Sequence, residues 1–275
     1  MLREVKAMHG TTLLARDGEI GKIEEVLFDD HLWTVRYLVV STGGWLSGRK
    51  VLLPPAVLEG PFLNEHLNVN LTRAQVEGSP PAETDKPVSR QWEMDYHDYY
   101  GWPYYWGGMG GLPGGIGFTG GMALSGVQLS RVVGDAGTPQ QEAGEGARDK
   151  GDVHLRSTLE VTGYKIEAED GPLGHIADLI VDDETWNIRY LAVDTGDWWP
   201  GKKVLLPPGW IEDVNWLENT VQMRVTRAQI QNGPEWDSHE PISPAFEAEL
   251  SEYYARQHTG APPVTPGSSL GLGKV

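Results

Sequence analysis

The chain has 275 residues, 39% of them hydrophobic, with 35 glycines and 19 prolines. Its 22 basic side chains against 39 acidic ones leave a formal charge of −17, which repels phosphate backbones and anionic lipid surfaces and argues against direct nucleic-acid binding. With no cysteine, disulfides and thiolate metal sites are excluded.

The opening MLREVKAMHG is charged and lacks the apolar core of a signal peptide. No run approaches the ~18–20 apolar residues that span a bilayer, so a soluble, cytoplasmic protein is expected. The first turn signal is Asp17-Gly18, a pair that tolerates the positive φ of a type I′ hairpin. EIGKIEEVLF follows as a strand whose alternation skips a beat near Gly21, the mark of a bulge. VRYLVVSTG is a β-branched run ended by Thr-Gly, and KVLLPP a strand stopped by two prolines, which remove ladder donors. HLNVNLT alternates cleanly before a short TRAQ turn.

The same order then returns. WTVRYLVVSTGGWLSGRKVLLPPAVLE at 33–59 reappears as WNIRYLAVDTGDWWPGKKVLLPPGWIE at 186–212, and ARDGEIGKIEEVLFDD at 15–30 as AEDGPLGHIADLIVDD at 168–183. NLTRAQVEGSP and RVTRAQIQNGP stand one residue further apart, which places one insertion between the matched blocks. A repeat of about 100 residues is the size of a whole domain rather than a solenoid unit. Five short strands in so little chain indicate a small barrel, which also hides its edges. The strand over 35–40 is apolar on both faces, with Val35, Tyr37 and Val39 opposite Leu38 and Val40, and the second copy keeps the pattern. One face fills the barrel; the other needs a cover from the sister copy, the trailing segment or a partner.

Each copy trails a segment with helical spacing. In PISPAFEAELSEYYARQH, Ser243 caps, Pro244 takes the first position, and Phe246, Leu250 and Tyr253/Tyr254 share a face; Trp92, Tyr96 and Tyr99/Tyr100 repeat that spacing in the first copy. The expected architecture is mainly β: two small barrels, each followed by a short amphipathic helix, joined by a Gly-rich linker. The divisions fall at 1–104 for the first barrel and helix, 105–151 for a Gly/acid-rich flexible linker, 152–258 for the second barrel and helix, and 259–275 for a disordered tail. Duplication suggests that the barrels pair about a pseudo-two-fold axis, an isologous contact made covalent.

The ordered set D-G-x-x-G-x-[IV] at 17–23 and 170–176, the acid pairs Asp29-Asp30 and Asp182-Asp183, the RYL strand and K-V-L-L-P resembles the PRC-barrel domain, over about 5–80 and 158–235. That family is named for the photosynthetic reaction centre, whose H subunit carries such a domain on its cytoplasmic side; it also forms part of a bacterial small-subunit ribosome maturation factor. The resemblance implies an adaptor barrel that docks onto proteins, with no catalytic residue to carry over. The chain is similar to the stand-alone, two-copy bacterial members, and neither the H subunit's transmembrane helix nor the maturation factor's extra N-terminal domain is expected in it.

No catalytic residue, cofactor site or metal site is assigned. The eight histidines recur at no equivalent position, and the repeat contains no nucleophile, zinc or phosphate-loop motif. The shared acids Asp17/Asp170, Asp29/Asp182 and Asp30/Asp183 read as turn and strand-end residues, with a cation site from the pairs as the other reading. Arg36/Arg189 is expected to balance them. The candidate interaction residues are the loop-tip aromatics and their neighbours, Trp45, Leu46, Trp198 and Trp199, together with Trp102, Tyr104, Tyr105 and Trp106 after the first helix. Both groups have two readings, as anchors for a partner or as side chains folded back over the barrel. The function expected is a non-enzymatic interaction or scaffolding module for protein partners. The alternatives are a ribosome-assembly or RNA-processing factor acting through a basic ribosomal protein, and an accessory protein of a reaction-centre-like membrane complex.

Overall fold

The computed structural model describes residues 1–63, 66–80, 90–102, 154–196, 199, 202–238 and 240–257. In the first half the elements are β1 (Leu2–Glu4), α1 (Val5–Met8), β2 (Thr12–Ala15), β3 (Gly18–Asp29), β4 (Thr34–Ser41), β5 (Lys50–Leu53), β6 (Leu58–Leu63), β7 (His66–Val69), α2 (Arg73–Glu77) and α3 (Arg90–Tyr100). The second half repeats them as β8 (Leu155–Ser157), α4 (Thr158–Val161), β9 (Lys165–Ala168), β10 (Gly171–Asp182), β11 (Ile188–Asp194), β12 (Lys203–Leu206), β13 (Ile211–Asn215), β14 (Thr220–Met223), α5 (Arg227–Gln231) and α6 (Pro244–Gln257). No helix among the described residues is long and apolar enough to cross a membrane.

Each half builds one strongly bent sheet, ordered β5-β4-β3-β2-β7-β6 and β12-β11-β10-β9-β14-β13. The β2–β7 and β14–β9 pairs are parallel; the other pairings are antiparallel. The bulge foreseen near Gly21 is present, as a register shift between Leu13 and Leu14 opposite Gly21 and Glu19, and its twin lies beside Gly174. Glycine is needed there because a Cβ would stand 2.0 Å from the Ser41 carbonyl oxygen, or from that of Asp194 in the second copy. A bulge raises local twist, which lets a twelve-residue strand serve β2 at one end and β4 along its length.

The type I′ turn expected at Asp17-Gly18 is corrected. Ala15 pairs with Gly18, so the loop is Arg16-Asp17, and neither residue has the positive φ that a type I′ turn requires at both central positions. Asp17 instead accepts the Arg73 amide at 2.7 Å, and Asp170 the Arg227 amide at 2.8 Å. The hairpin is thus tied to the start of α2 or α5, where TRAQ forms not a bare turn but a helix with a Thr/Gln capping box.

The second apolar face is covered by the trailing helix. Tyr37, Val39 and Leu52 are buried with Tyr96 of α3, apart from the main core that takes Val35, Leu38 and Val40. The Tyr96 hydroxyl donates to the Leu52 carbonyl; in the second copy Tyr254 of α6 donates to the Leu205 carbonyl at 3.0 Å. Ser243 caps α6 as expected, accepting the Phe246 amide at 3.1 Å.

The short strands β1 and β8 change partners between halves. Leu2, Arg3 and Glu4 pair with Asp182, Val181 and Ile180 of the second sheet, while Leu155, Arg156 and Ser157 pair with Asp29, Phe28 and Leu27 of the first. The two registers are the same pairing shifted by one repeat, so the halves are related by a pseudo-two-fold axis and interlocked by reciprocal strand exchange. Thr34 and Asn187 bridge near that axis, with a side-chain hydrogen bond of 2.8 Å. Barrel–barrel pairing inside one chain is therefore an observed feature, and each sheet of seven strands contains one strand of the other half.

Candidate functional site

The junction is built from residues that both copies keep. Trp33 and Trp186 adopt positive φ, 51° and 59°, a costly conformation for a bulky side chain. Each turns its carbonyl across the axis: Val35 donates to Trp186 at 2.8 Å, and Ile188 donates to Trp33 at 2.7 Å. The second aspartate of each acid pair holds the exchanged strand. Arg3 lies 2.6 Å from Asp183, and Arg156 2.9 Å from Asp30, which also takes His154 at 3.0 Å. Burial pushes the Asp183 carboxyl up, but the hydrogen bonds from the Met1 amino group and Arg3 outweigh it and hold the group below its ordinary value.

The first aspartates do local work. Asp29 accepts the amides of His31 and Leu32, both at 2.9 Å, and pairs with Arg36 at 3.2 Å; Asp182 accepts the Glu184 amide at 2.9 Å. Turn-making, one of the two readings of these acids, is thus what the geometry displays, and Asp29 and Asp30 address different partners. Among the described residues no three His, Asp or Glu side chains gather as metal ligands. The expected equivalence of Arg36 and Arg189 fails in the second copy. Arg189 reaches Glu247 on α6 at 3.2 Å, because that helix presents a carboxylate above the strand.

One junction acid is unlike its counterpart. Asp178 is buried, accepts the Leu179 amide at 2.7 Å and caps the start of α1 through the Lys6 amide at 3.2 Å. Desolvation pushes its carboxyl up to about 6 despite those amides. In the other half Ser157 caps α4 from its own chain end, so the two ends of the interlock are capped differently.

Beside this junction lies a cleft of about 970 Å³, lined from the first half by Asp30–Trp33, from exchanged strand β8 by Arg156, and from the second half by β11, β13, the turn at Pro207–Trp210 and α6. Among its aromatic lining residues, Trp33 and Trp216 are half-buried and Tyr190, Trp210 and Tyr254 are buried. Trp210 and Tyr254 meet edge to face at 4.4 Å, and the Arg156 guanidinium covers Trp216 at 3.9 Å. Volume and lining fall in the range of ligand sites, and neither half forms the cleft alone.

The sequence candidates lie elsewhere. Trp45 folds back: its indole N–H donates to the Ile20 carbonyl and Arg73 stacks over the ring at 4.2 Å, while Leu46 packs on the core. The Trp199 amide donates to the Thr195 carbonyl at 3.0 Å and its side chain packs on the main core. Trp102 hooks back on α3, its amide 2.9 Å from the His97 carbonyl and its ring stacked on Tyr100 at 4.1 Å. Trp198, Tyr104, Tyr105 and Trp106 lie outside the described residues. Trp33, Trp210 and Trp216, which line the cleft, were not singled out in the sequence; the recurrence of Trp33 as Trp186 was the available signal.

A family model for the PRC-barrel domain matches residues 9–72 and 160–230. No curated protein matches the chain.

Proposed function

The chain belongs to the PRC-barrel domain family, with one matched segment in each half, and from that premise we propose that it is a non-enzymatic interaction module that holds a protein partner. The observation that carries this reading is the cleft of about 970 Å³ assembled jointly by the two copies. Trp33 and Trp216, the half-buried tryptophans of its wall, are of the residue type that contributes most of the binding at protein interfaces. The shared acids support the same reading, since each is engaged in a turn, a helix cap or a strand clasp. A scaffold assembled by strand exchange is rigid at the junction, which limits the ordering cost of binding.

The test is affinity capture with the intact chain and with a Leu32→Asp/Trp216→Ala variant, two side chains of the cleft wall. The expected result is loss of a defined partner in the variant, with Trp45→Ala retaining it. Recovery of the same proteins by both would remove the cleft from the function.

A further inference from the structure

Four consecutive residues of β13, Ile211, Glu212, Asp213 and Val214, line the cleft, while none of β14 does. Alternate side chains of a strand point to opposite faces. The register shift beside Glu212 blurs that parity, but Asp213 and Val214 follow it and still point to opposite faces. A cavity that touches both meets the edge of the strand. β13 ends its sheet and, among the described residues, pairs only with β14. Its outer row of backbone groups therefore opens into the aromatic cleft.

The first copy treats the same edge differently. β6 reads LEGPFL where β13 reads IEDVN, so Pro61 stands where the second copy has Val214, and Gly60 where it has Asp213. Proline on an edge strand is a standard block against strand addition. The second copy omits that block and adds a carboxylate. Glu212 and Asp213 are both exposed and make no ion pair among the described residues.

We propose that β13 accepts an extended, basic segment of a partner protein as an added strand. Main-chain hydrogen bonds would run along the open edge, an apolar or aromatic side chain of the segment would enter the space lined by Trp33, Trp210, Trp216 and Tyr254, and lysine or arginine would face Glu212 and Asp213. Strand addition draws affinity from the backbone and specificity from alternate side chains, and the charge match selects a basic segment. The site is continuous with the barrel–barrel junction. This proposal rests on the interaction reading above and specifies its mode.

The probe is a fluorescein-labelled heptapeptide of alternating lysine and valine with a central tryptophan, titrated by anisotropy against the intact chain at two salt concentrations. Binding should weaken at least tenfold with Val214→Pro, at least tenfold with Glu212→Lys/Asp213→Lys, and at least tenfold when alternate peptide nitrogens are methylated, which needs no protein variant. The glutamate counterpart of the peptide should bind the wild type at least tenfold more weakly. Equal binding of the methylated peptide, or no binding of the parent, overturns strand addition. A concentration-dependent dimer abolished by Val214→Pro, with the peptide unaffected, would assign the edge to a second copy and equally overturn it. If the Leu32→Asp/Trp216→Ala variant loses the captured partner while Val214→Pro keeps it, the interaction reading stands and only the strand-addition mode fails.

Discussion

Asp178→Asn should stabilise the protein at neutral pH, against the usual effect of altering a buried group. The carboxyl titrates at about 6 in the folded chain against its ordinary 3.8, chiefly through desolvation. Because the folded value lies above the unfolded one, the folded state holds the extra proton between those limits, and stability falls as pH rises through that window. With about 1.4 kcal/mol per pH unit of difference, ionising Asp178 costs about 3 kcal/mol above pH 7 and about half of that at pH 5. An asparagine oxygen can still accept the Leu179 and Lys6 amides, at the loss of charge assistance, about 1 kcal/mol at any pH. Urea unfolding at pH 7.5 and pH 5.0 should therefore give a gain for the variant that shrinks by about 1.5 kcal/mol on acidification. A difference that is independent of pH would mean that Asp178 is solvated in the folded state and that the exchanged β1–α1 segment does not bury it.

The strand clasps make a second prediction. Arg3→Ala/Arg156→Ala leaves Asp183 and Asp30, 4% and 10% exposed, without their guanidinium partners, and should cost about 2–4 kcal/mol in total. Amide exchange should accelerate in β1, β8 and the facing ends of β10 and β3, with β4–β5 unchanged; protection that falls uniformly would contradict a local clasp. Gly174→Ala should lower stability by about 2–3 kcal/mol, since its Cβ would stand 2.0 Å from the Asp194 carbonyl oxygen. Gly44→Ala, with nothing within 4 Å, should stay within about 0.5 kcal/mol in the same thermal melt. Tyr96→Phe and Tyr254→Phe should each cost about 1 kcal/mol, and the double variant their sum, because the carbonyls of Leu52 and Leu205 lie in separate sheets.

The barrels were legible because periodicity and turn residues act locally. Both faces of β4, the bulge at Gly21, the Ser243 cap and the covering helices all follow from residues a few positions apart. Strands β1 and β8 were not legible. Three residues carry no period, and the partner of Leu2–Glu4 lies about 180 positions away, where the Arg3–Asp183 ion pair joins groups that spacing does not link. The hairpin departs from its Asp-Gly signal for a related reason: Asp17 accepts the Arg73 amide, 56 positions on, so its side chain serves tertiary capping rather than a left-handed turn. Trp45 has an exposed-looking sequence context, yet its indole finds the Ile20 carbonyl and Arg73. The reverse holds for Trp33, which closes an ordinary turn before β4 but carries the junction through a backbone angle that composition does not signal.

Fusion of the two copies explains why one surface of a near-symmetric molecule can specialise. In a homodimer every substitution is made twice, so an edge opened on one side is opened on both, and two open edges invite filament growth. A fused pair is free of that constraint. Val57 stands where the second copy has Trp210, Pro61 where it has Val214, and His97 where α6 has Ser251. The junction itself, with Trp33/Trp186 and Arg3/Arg156, stayed in step because each member contacts its counterpart's half and a change on one side alone would break the interlock. The residues that bind the halves together keep their symmetry, and three of them, Asp30, Trp33 and Arg156, also line the cleft, whereas Trp210, Val214 and Ser251 in its wall have no like residue in the first copy. The cleft is thus a specialised wall set on a symmetric frame, as expected if it has a ligand of its own.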